Sequence, residues 1–471
     1  MWNKIAEMLE SETPEDRVVE IFSKLPAKSL MRFKCIHKSW CTLINSPSFV
    51  AKHLINSVDN KLSFSTCILV NHSQPHIFSD KNWKQEVFWS MINISIDSGE
   101  HNLHYDVVDL NIPFPLEDHD FVQIHGYCNG IVCVMVGKNF LLCNPATREF
   151  MQLPDSCLLL PPAEGKFELD TTFEALGFGY DCKGKEYKVV QIIENCEYSD
   201  DEQTFNHCTT LPHTAEVYTT VANSWKEIKI DISSTTYSWS CSVYLKGFSL
   251  GFGYDCNAKE YKVVRIIENC EYSDEERTFY HRIALPHTAE LYTATANSWK
   301  EIKIDISSTT YSCSRSVFMK GFCYWYATDG EEYVLSFDLG DDTFHIIQLP
   351  SRRESGFRFY YIFLRNESLA SFCSRYDRSE DSESCEIWVM DDYDGVKRLW
   401  TKLLNIGPLQ GIKKPLTFWK SDELLMLDSN GRVISYNSST GNLNYLHIPP
   451  ILNSVVDFEV LIYVKSIVHV K

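Results

Sequence analysis

The chain has 471 residues, 44% of them hydrophobic, with a formal net charge of −19, enough for one to three domains with sizeable cores and too acidic to favour nucleic acid as a partner. Its 17 cysteines are scattered and form no CxxC pair, the pattern of reduced thiols rather than of a disulfide frame. The opening MWNKIAEMLESE holds three acids and no apolar leader, and no apolar run reaches membrane-spanning length, so the expectation is a cytoplasmic protein that uses no membrane.

Residues 1–12 read as an extension. The stretch 13–54 reads as a domain of three short helices. Thr13-Pro14-Glu15-Asp16 is a helix start, with a capping Thr, a Pro at the first helical position and acids in the first turn. Val18, Ile21, Phe22 and Leu25 follow on one face. Pro26 stops that helix, Ser29 is placed to cap a second carrying Leu30, Phe33 and Ile36, and a third runs through Trp40, Leu43 and Ile44 to Pro47. So small a bundle has more large apolar groups than it can hide. Two readings follow: packing against its own chain, or docking of a partner. The stretch has seven Lys/Arg (17, 24, 28, 32, 34, 38, 52) against three acids, a basic patch on an acidic chain.

Residues 55–62 read as a linker. From position 63 to the end the text becomes short strands rich in Val, Ile, Tyr, Phe and Trp with Gly, Asn, Asp and Ser turns. A strand, a polar turn, an aromatic or apolar pivot and a second strand recur, with pivots at Phe150, Trp225, Trp299, Phe344, Trp400 and Leu443. That is the pattern of four-stranded blades, a kelch-like β-propeller; a β-sandwich is the alternative. The C-terminal strand 456–470 is expected to pair back with the first blade.

Residues 176–249 and 250–323 align without a gap and differ at 17 of 74 positions. Each copy holds about one blade, which predicts six blades without the insert and seven with it.

Two acidic stretches, at 194–202 and 268–276, read as loops. Glu197, Asp200, Asp201 and Glu202, with Glu271, Asp274, Glu275 and Glu276, are candidates for a surface that meets a basic protein. The other reading is solvation of self-repelling loops. GFGYD at 177–181 lacks the third glycine and the helix of a dinucleotide loop. His207, His213, His281 and His287 lack partners at metal-ligand spacing. No nucleophile elbow or ordered triad is visible. The expectation is no catalytic site, no metal and no cofactor.

The residues LPAKSLMRFKCIHKSWCTLI (25–44) resemble an F-box, and GYCNGIVCV (126–134), LCNPATREFMQLP (142–154), LGFGYD (176–181), YKVV (187–190) and SWKEI (224–228) resemble the plant F-box-associated domain. Thr13, where many F-boxes have Leu, and Ala27 depart from the pattern. Together the set is most similar to the S-locus F-box proteins of rose-family pollen, which carry the duplicated unit once. The resemblance implies docking on a Skp-family adaptor, and through it a cullin scaffold, by Pro14, Ile21, Leu25, Pro26, Leu30, Phe33, Ile36 and Trp40. It further implies a non-catalytic substrate receptor of an SCF-type ubiquitin ligase in the pollen-tube cytoplasm, binding basic pistil ribonucleases (S-RNases) in self-incompatibility. A plant F-box protein with an unrelated substrate, or an enzyme built on the propeller, are the alternatives.

Overall fold

The computed structural model describes the helical segment 15–59 and most strands and tight turns of 65–470; the ends 1–14 and 471 and several inter-strand segments, among them 60–64, 111–121, 200–206, 229–235, 274–280 and 447–457, lie outside the described residues. Four helices come first: α1 (Glu15–Ser23), α2 (Ala27–Phe33), α3 (Lys38–Asn45) and α4 (Pro47–Asp59). Two expectations are corrected here. Pro47 does not only close α3; it opens α4, which runs through most of the stretch read as a linker. Proline suits a first helical turn, where its missing N–H has no carbonyl to reach. Residue Ser29 caps nothing, since α2 already begins at Ala27 behind Pro26 and has no side-chain cap.

Seven antiparallel sheets follow, the blades of a seven-bladed β-propeller. Blade 1 is ordered Leu103–Asp109, Trp83–Ile96, Ser65–Ile77 and Phe458–Tyr463. The C-terminal strand thus pairs with the first one, Cys67 opposite Tyr463 through His72 opposite Phe458. Only 458–463 pair in this way; residues 464–470, expected to continue the strand, leave the sheet. The helices and blades 1, 2 and 7 form one compact unit (residues 1–153 and 410–471), and 154–409 form a second.

In the first unit, blades 1 and 2 share a core of Leu69, Trp89, Val132, Val134, Leu141 and Cys143, and blades 1 and 7 share Ile68, Ile92, Ile94, Trp419, Leu425 and Leu427. Burial drives the Cys133 and Cys143 thiols above their ordinary range and the Cys67 thiol up to about 12, so they act as small apolar fillers. Every pivot residue read from sequence lies on a strand at one end of its sheet's order: Phe150 in Glu149–Gln152, Trp225 in Ser224–Ile228, Trp299 in Ser298–Ile302, Phe344 in Thr343–Gln348, Trp400 in Lys397–Gln410 and Leu443 in Leu443–Tyr445.

In the second unit the tandem copies build blades 3 and 4, out of phase with the repeat. The sequence junction, Ser249–Leu250, falls inside a single strand, Val243–Asp255, the first of blade 4. There Lys246 and Gly247 stand in the ladder opposite Asn269 and Glu268. Their counterparts Lys320 (φ 48°) and Gly321 (φ 85°) make a hairpin turn between Val317–Met319 and Phe322–Thr328 of blade 5. The same Lys-Gly pair is a turn in one copy and extended in the other. The strand Glu260–Ser273 is long enough to pair residues 243–249 in register with 250–255, and this ladder overrides a local turn preference.

The GFGYD glycines sit where neighbouring blades press closest. A Cβ on Gly179 would fall on the Phe252 ring, and one on Gly253 would strike Phe318 and Leu339. They are in strands, where glycine marks a close approach. The stretches read as acidic loops, 194–202 and 268–276, are corrected over their described residues. Residues 194–199 and 268–273 are the ends of the strands Glu186–Ser199 and Glu260–Ser273, with 194–199 held in a ladder opposite 167–172 and 268–272 opposite 243–247.

Candidate adaptor-docking site

The four helices close on one apolar cluster: Val18, Phe22, Ala27, Leu30, Trp40, Ile44, Phe49 and, from the C-terminal segment, Ile467. Phe22 sits edge-on to Trp40 with centroids 4.9 Å apart, and Phe33 lies 5.3 Å from Phe22 and 5.6 Å from Trp40. Such edge and tilted arrangements add to the burial of the rings. His37 caps helix α3, its Nδ1 accepting from Ser39 N–H.

The sequence placed eight residues on the docking face, and the structure sorts them. Leu30 is 0% and Trp40 5% exposed, and both are core. Leu25, Phe33 and Ile36 are half-buried, Pro26 is exposed and Ile21 is 52% exposed. Pro14 lies outside the described residues. The exposed and half-exposed group belongs to α1, the α1–α2 corner, the end of α2 and the turn beyond it, with the exposed side chains of Lys24, Lys28 and Arg32 on the same elements and Lys38 at the start of α3. An apolar strip with a basic surround can take an acidic partner that has an apolar face of its own.

The corner at Leu25-Pro26 has supports that sequence reading missed. His53 of α4 is buried and donates from Nε2 to the Leu25 carbonyl at 3.0 Å. Asn56 donates to the Ser23 carbonyl at 3.2 Å and to Ser23 Oγ at 2.9 Å. These groups satisfy the end of α1, where the last carbonyls lack intrahelical partners. The signal was hidden because no helix was expected after Pro47, so His53 and Asn56 had no element to place them.

Of the acidic candidates, Glu197 and Glu271 are strand residues, opposite Leu169 and Tyr244. Asp200, Asp201, Glu202, Asp274, Glu275 and Glu276 lie outside the described residues.

Comparison with known proteins agrees with this layout. The F-box domain matches residues 14–52, and two families described as F-box associated beta propeller domain match 76–249 and 248–469. The F-box/kelch-repeat protein At3g23880 of Arabidopsis thaliana is 24% identical over 97% of this chain and 95% of its own length. The F-box protein At4g22390 of the same plant is 27% identical over 46% of each chain, and F-box protein CPR1 is 27% identical over 50% of this chain and 51% of its own. The chain spans about half the length of most of the curated relatives it matches. With an F-box ahead of F-box-associated β-propeller sequence, the chain has the make-up of a plant F-box protein.

Proposed function

We propose that the chain is the substrate receptor of an SCF-type ubiquitin ligase, docking a Skp-family adaptor through Ile21, Leu25, Pro26, Phe33 and Ile36 and reaching a cullin scaffold through it. The observation that carries the proposal is the sorting of the helices' apolar groups. Leu30, Trp40, Ile44 and Phe49 suffice as a core, while Ile21, a large apolar residue, stays more than half exposed beside the half-buried Leu25. Covering what these five side chains leave exposed supplies less than the roughly 1.5–3 kcal/mol that each would give if it started fully exposed, before ordering costs. The chain itself performs no chemistry in this reading; the ubiquitin-transferring groups belong to the recruited partners.

The β-propeller is the substrate-binding part, and its substrate a basic protein. Charge supports this: the chain carries −19 overall although 13–54 is basic, and complementary fields speed and select encounter. Within that class we assign pistil S-RNases met in the pollen-tube cytoplasm, on the motif resemblance from Gly126 onward.

The test is adaptor capture. Ile21→Asp and Leu25→Asp are expected to weaken binding more than tenfold while the helices keep their circular dichroism. Undiminished capture by both variants overturns the adaptor assignment. The substrate assignment is tested separately, by titrating basic pistil ribonucleases and an equally basic unrelated protein. Equal affinity for the two overturns it.

A further inference from the structure

The C-terminal segment 464–470 is bound on both sides. Toward blade 2, the Val464 N–H donates to the Tyr127 hydroxyl at 2.9 Å, and Ser466 Oγ donates to the Asn129 carbonyl at 3.0 Å. Asn144, fully buried, donates from Nδ2 to the carbonyls of Ser466 (3.1 Å) and Val468 (2.8 Å). Its Oδ1 accepts from the N–H of Ala146 at 3.0 Å and from the Tyr463 hydroxyl at 2.8 Å. A buried side-chain amide with every group engaged holds its surroundings in one arrangement. The Asn129-Gly130 turn (φ 54° and 83°) lies so close that a Cβ on Gly130 would collide with Ser466.

Toward the helices, Ile467 is 0% exposed within the F-box core, with Ala146 of blade 2 at its margin. His469 donates from Nδ1 to Glu149 of blade 2 at 2.9 Å, and its Nε2 takes a hydrogen bond from Lys34 of the α2–α3 turn at 3.2 Å. Asn45 Oδ1 of α3 lies 3.2 Å from the same nitrogen. Desolvation lowers the Lys34 pKa, with Glu149 opposing it. One heptapeptide thus shares the hydrophobic core of one domain and the backbone ladder ends of the other.

We propose that residues 464–470 are the mount that fixes the F-box on blade 2 and so set the direction in which the adaptor-docking face is held relative to that blade. The proposal deepens the substrate-receptor reading and rests on it for its purpose. A receptor works by holding a client where a partner's reactive group can reach it, and effective concentration falls when the connection is loose. The positioning residues are Asn144, Ile467 and His469.

The test is the distance distribution across the joint. Dyes are placed by encoded click-reactive residues at Lys52 of α4 and Lys138 of blade 2, both exposed, so the native cysteines stay untouched. The unaltered chain is expected to give one narrow energy-transfer peak. Asn144→Asp keeps the acceptor for Ala146 and Tyr463 and replaces both donors to the tail with a repelling carboxylate; Ile467→Ala removes the plug. Each is expected to broaden the peak at least twofold while adaptor affinity stays within about twofold. A peak of unchanged width in both variants overturns the mount. Should Asn144→Asp lower the melting temperature of the propeller, Ile467→Ala alone decides. The width needs no adaptor, so failure of adaptor capture in the unaltered chain refutes the ligase reading without touching this result.

Discussion

Arg265 occupies in blade 4 the place that Gln191 holds in blade 3, and each reaches the glutamate opposite it in its own blade. Gln191 donates to Glu216, and Arg265 pairs with Glu290 beneath a guanidinium–indole contact of 4.7 Å to Trp299. Both Gln191 and Arg265 are fully buried. Desolvation pushes the arginine down to about 10. A buried ion pair is costly to assemble and costlier to break. Arg265→Gln should therefore fold with a melting temperature at or above the parent's, since blade 3 shows that the frame accepts a glutamine opposite the glutamate. Arg265→Ala should lose about 3 kcal/mol by denaturant melting. A larger loss for the glutamine variant would contradict this account.

The pivot tryptophans offer a matched comparison. Trp400 donates its indole N–H to the Gln348 carbonyl at 2.8 Å, tying blade 6 to the end of blade 5, and Trp225 donates to the Pro154 carbonyl at 2.7 Å. The copied Trp299 has a buried Nε1 without a partner among the described residues. Trp400→Phe should cost about 0.5–1.5 kcal/mol beyond lost packing, the net worth of one hydrogen bond, since water reaches the freed carbonyl of the exposed Gln348. Trp299→Phe should cost less, a difference that paired urea melts resolve.

Much of this was legible from the chain alone. Blade pivots stand out because aromatic and apolar residues recur after polar turns, and the F-box core because Val18, Phe22 and Leu25 keep helical spacing. Three features were not. Charge made Glu194–Ser199 look like a loop, although ladder pairing on both sides holds it extended. The Lys246-Gly247 pair looks like a turn, and its alternative lies in a strand partner some 20 residues on. The last residues, SIVHV, read as more strand; their seat beneath the helices depends on Asn144, more than 300 positions away. Local pattern carries no trace of contacts at that separation.

The close approach of blades at GFGYD makes Gly253 a sensitive position. Its Cβ would meet the Phe318 ring and Leu339, and Leu339 is fully buried. Gly253→Ala should destabilise the second unit by about 1–3 kcal/mol through overpacking. Gly321 is a control of the opposite kind. Nothing stands within 4 Å of a Cβ there, but its φ is 85°, so Gly321→Ala should cost about 1 kcal/mol through backbone strain alone. Combining Gly253→Ala with Phe318→Ala should recover part of the first loss and none of the second.

His53 makes the docking corner sensitive to acid. Its Nε2–H is engaged by the Leu25 carbonyl at 3.0 Å, and Nδ1 lies 3.5 Å from Ser57 Oγ. Burial holds its pKa below the ordinary histidine range, against the opposing pull of the Leu25 carbonyl. The unfolded chain therefore takes up a proton at higher pH than the folded one. Stability is fully present above the ordinary histidine pKa of about 6.5 and is lost as pH falls from there through the depressed folded value. F-box melting, followed by Trp40 fluorescence in a chain with its other ten tryptophans replaced, should drop between pH 7 and pH 5. His53→Gln keeps a donor near Leu25 without the titration and should flatten that slope. Adaptor affinity should follow the same curve, because the carbonyl His53 secures belongs to Leu25, a residue of the proposed docking face. An unchanged slope in His53→Gln would assign the acid sensitivity to another group.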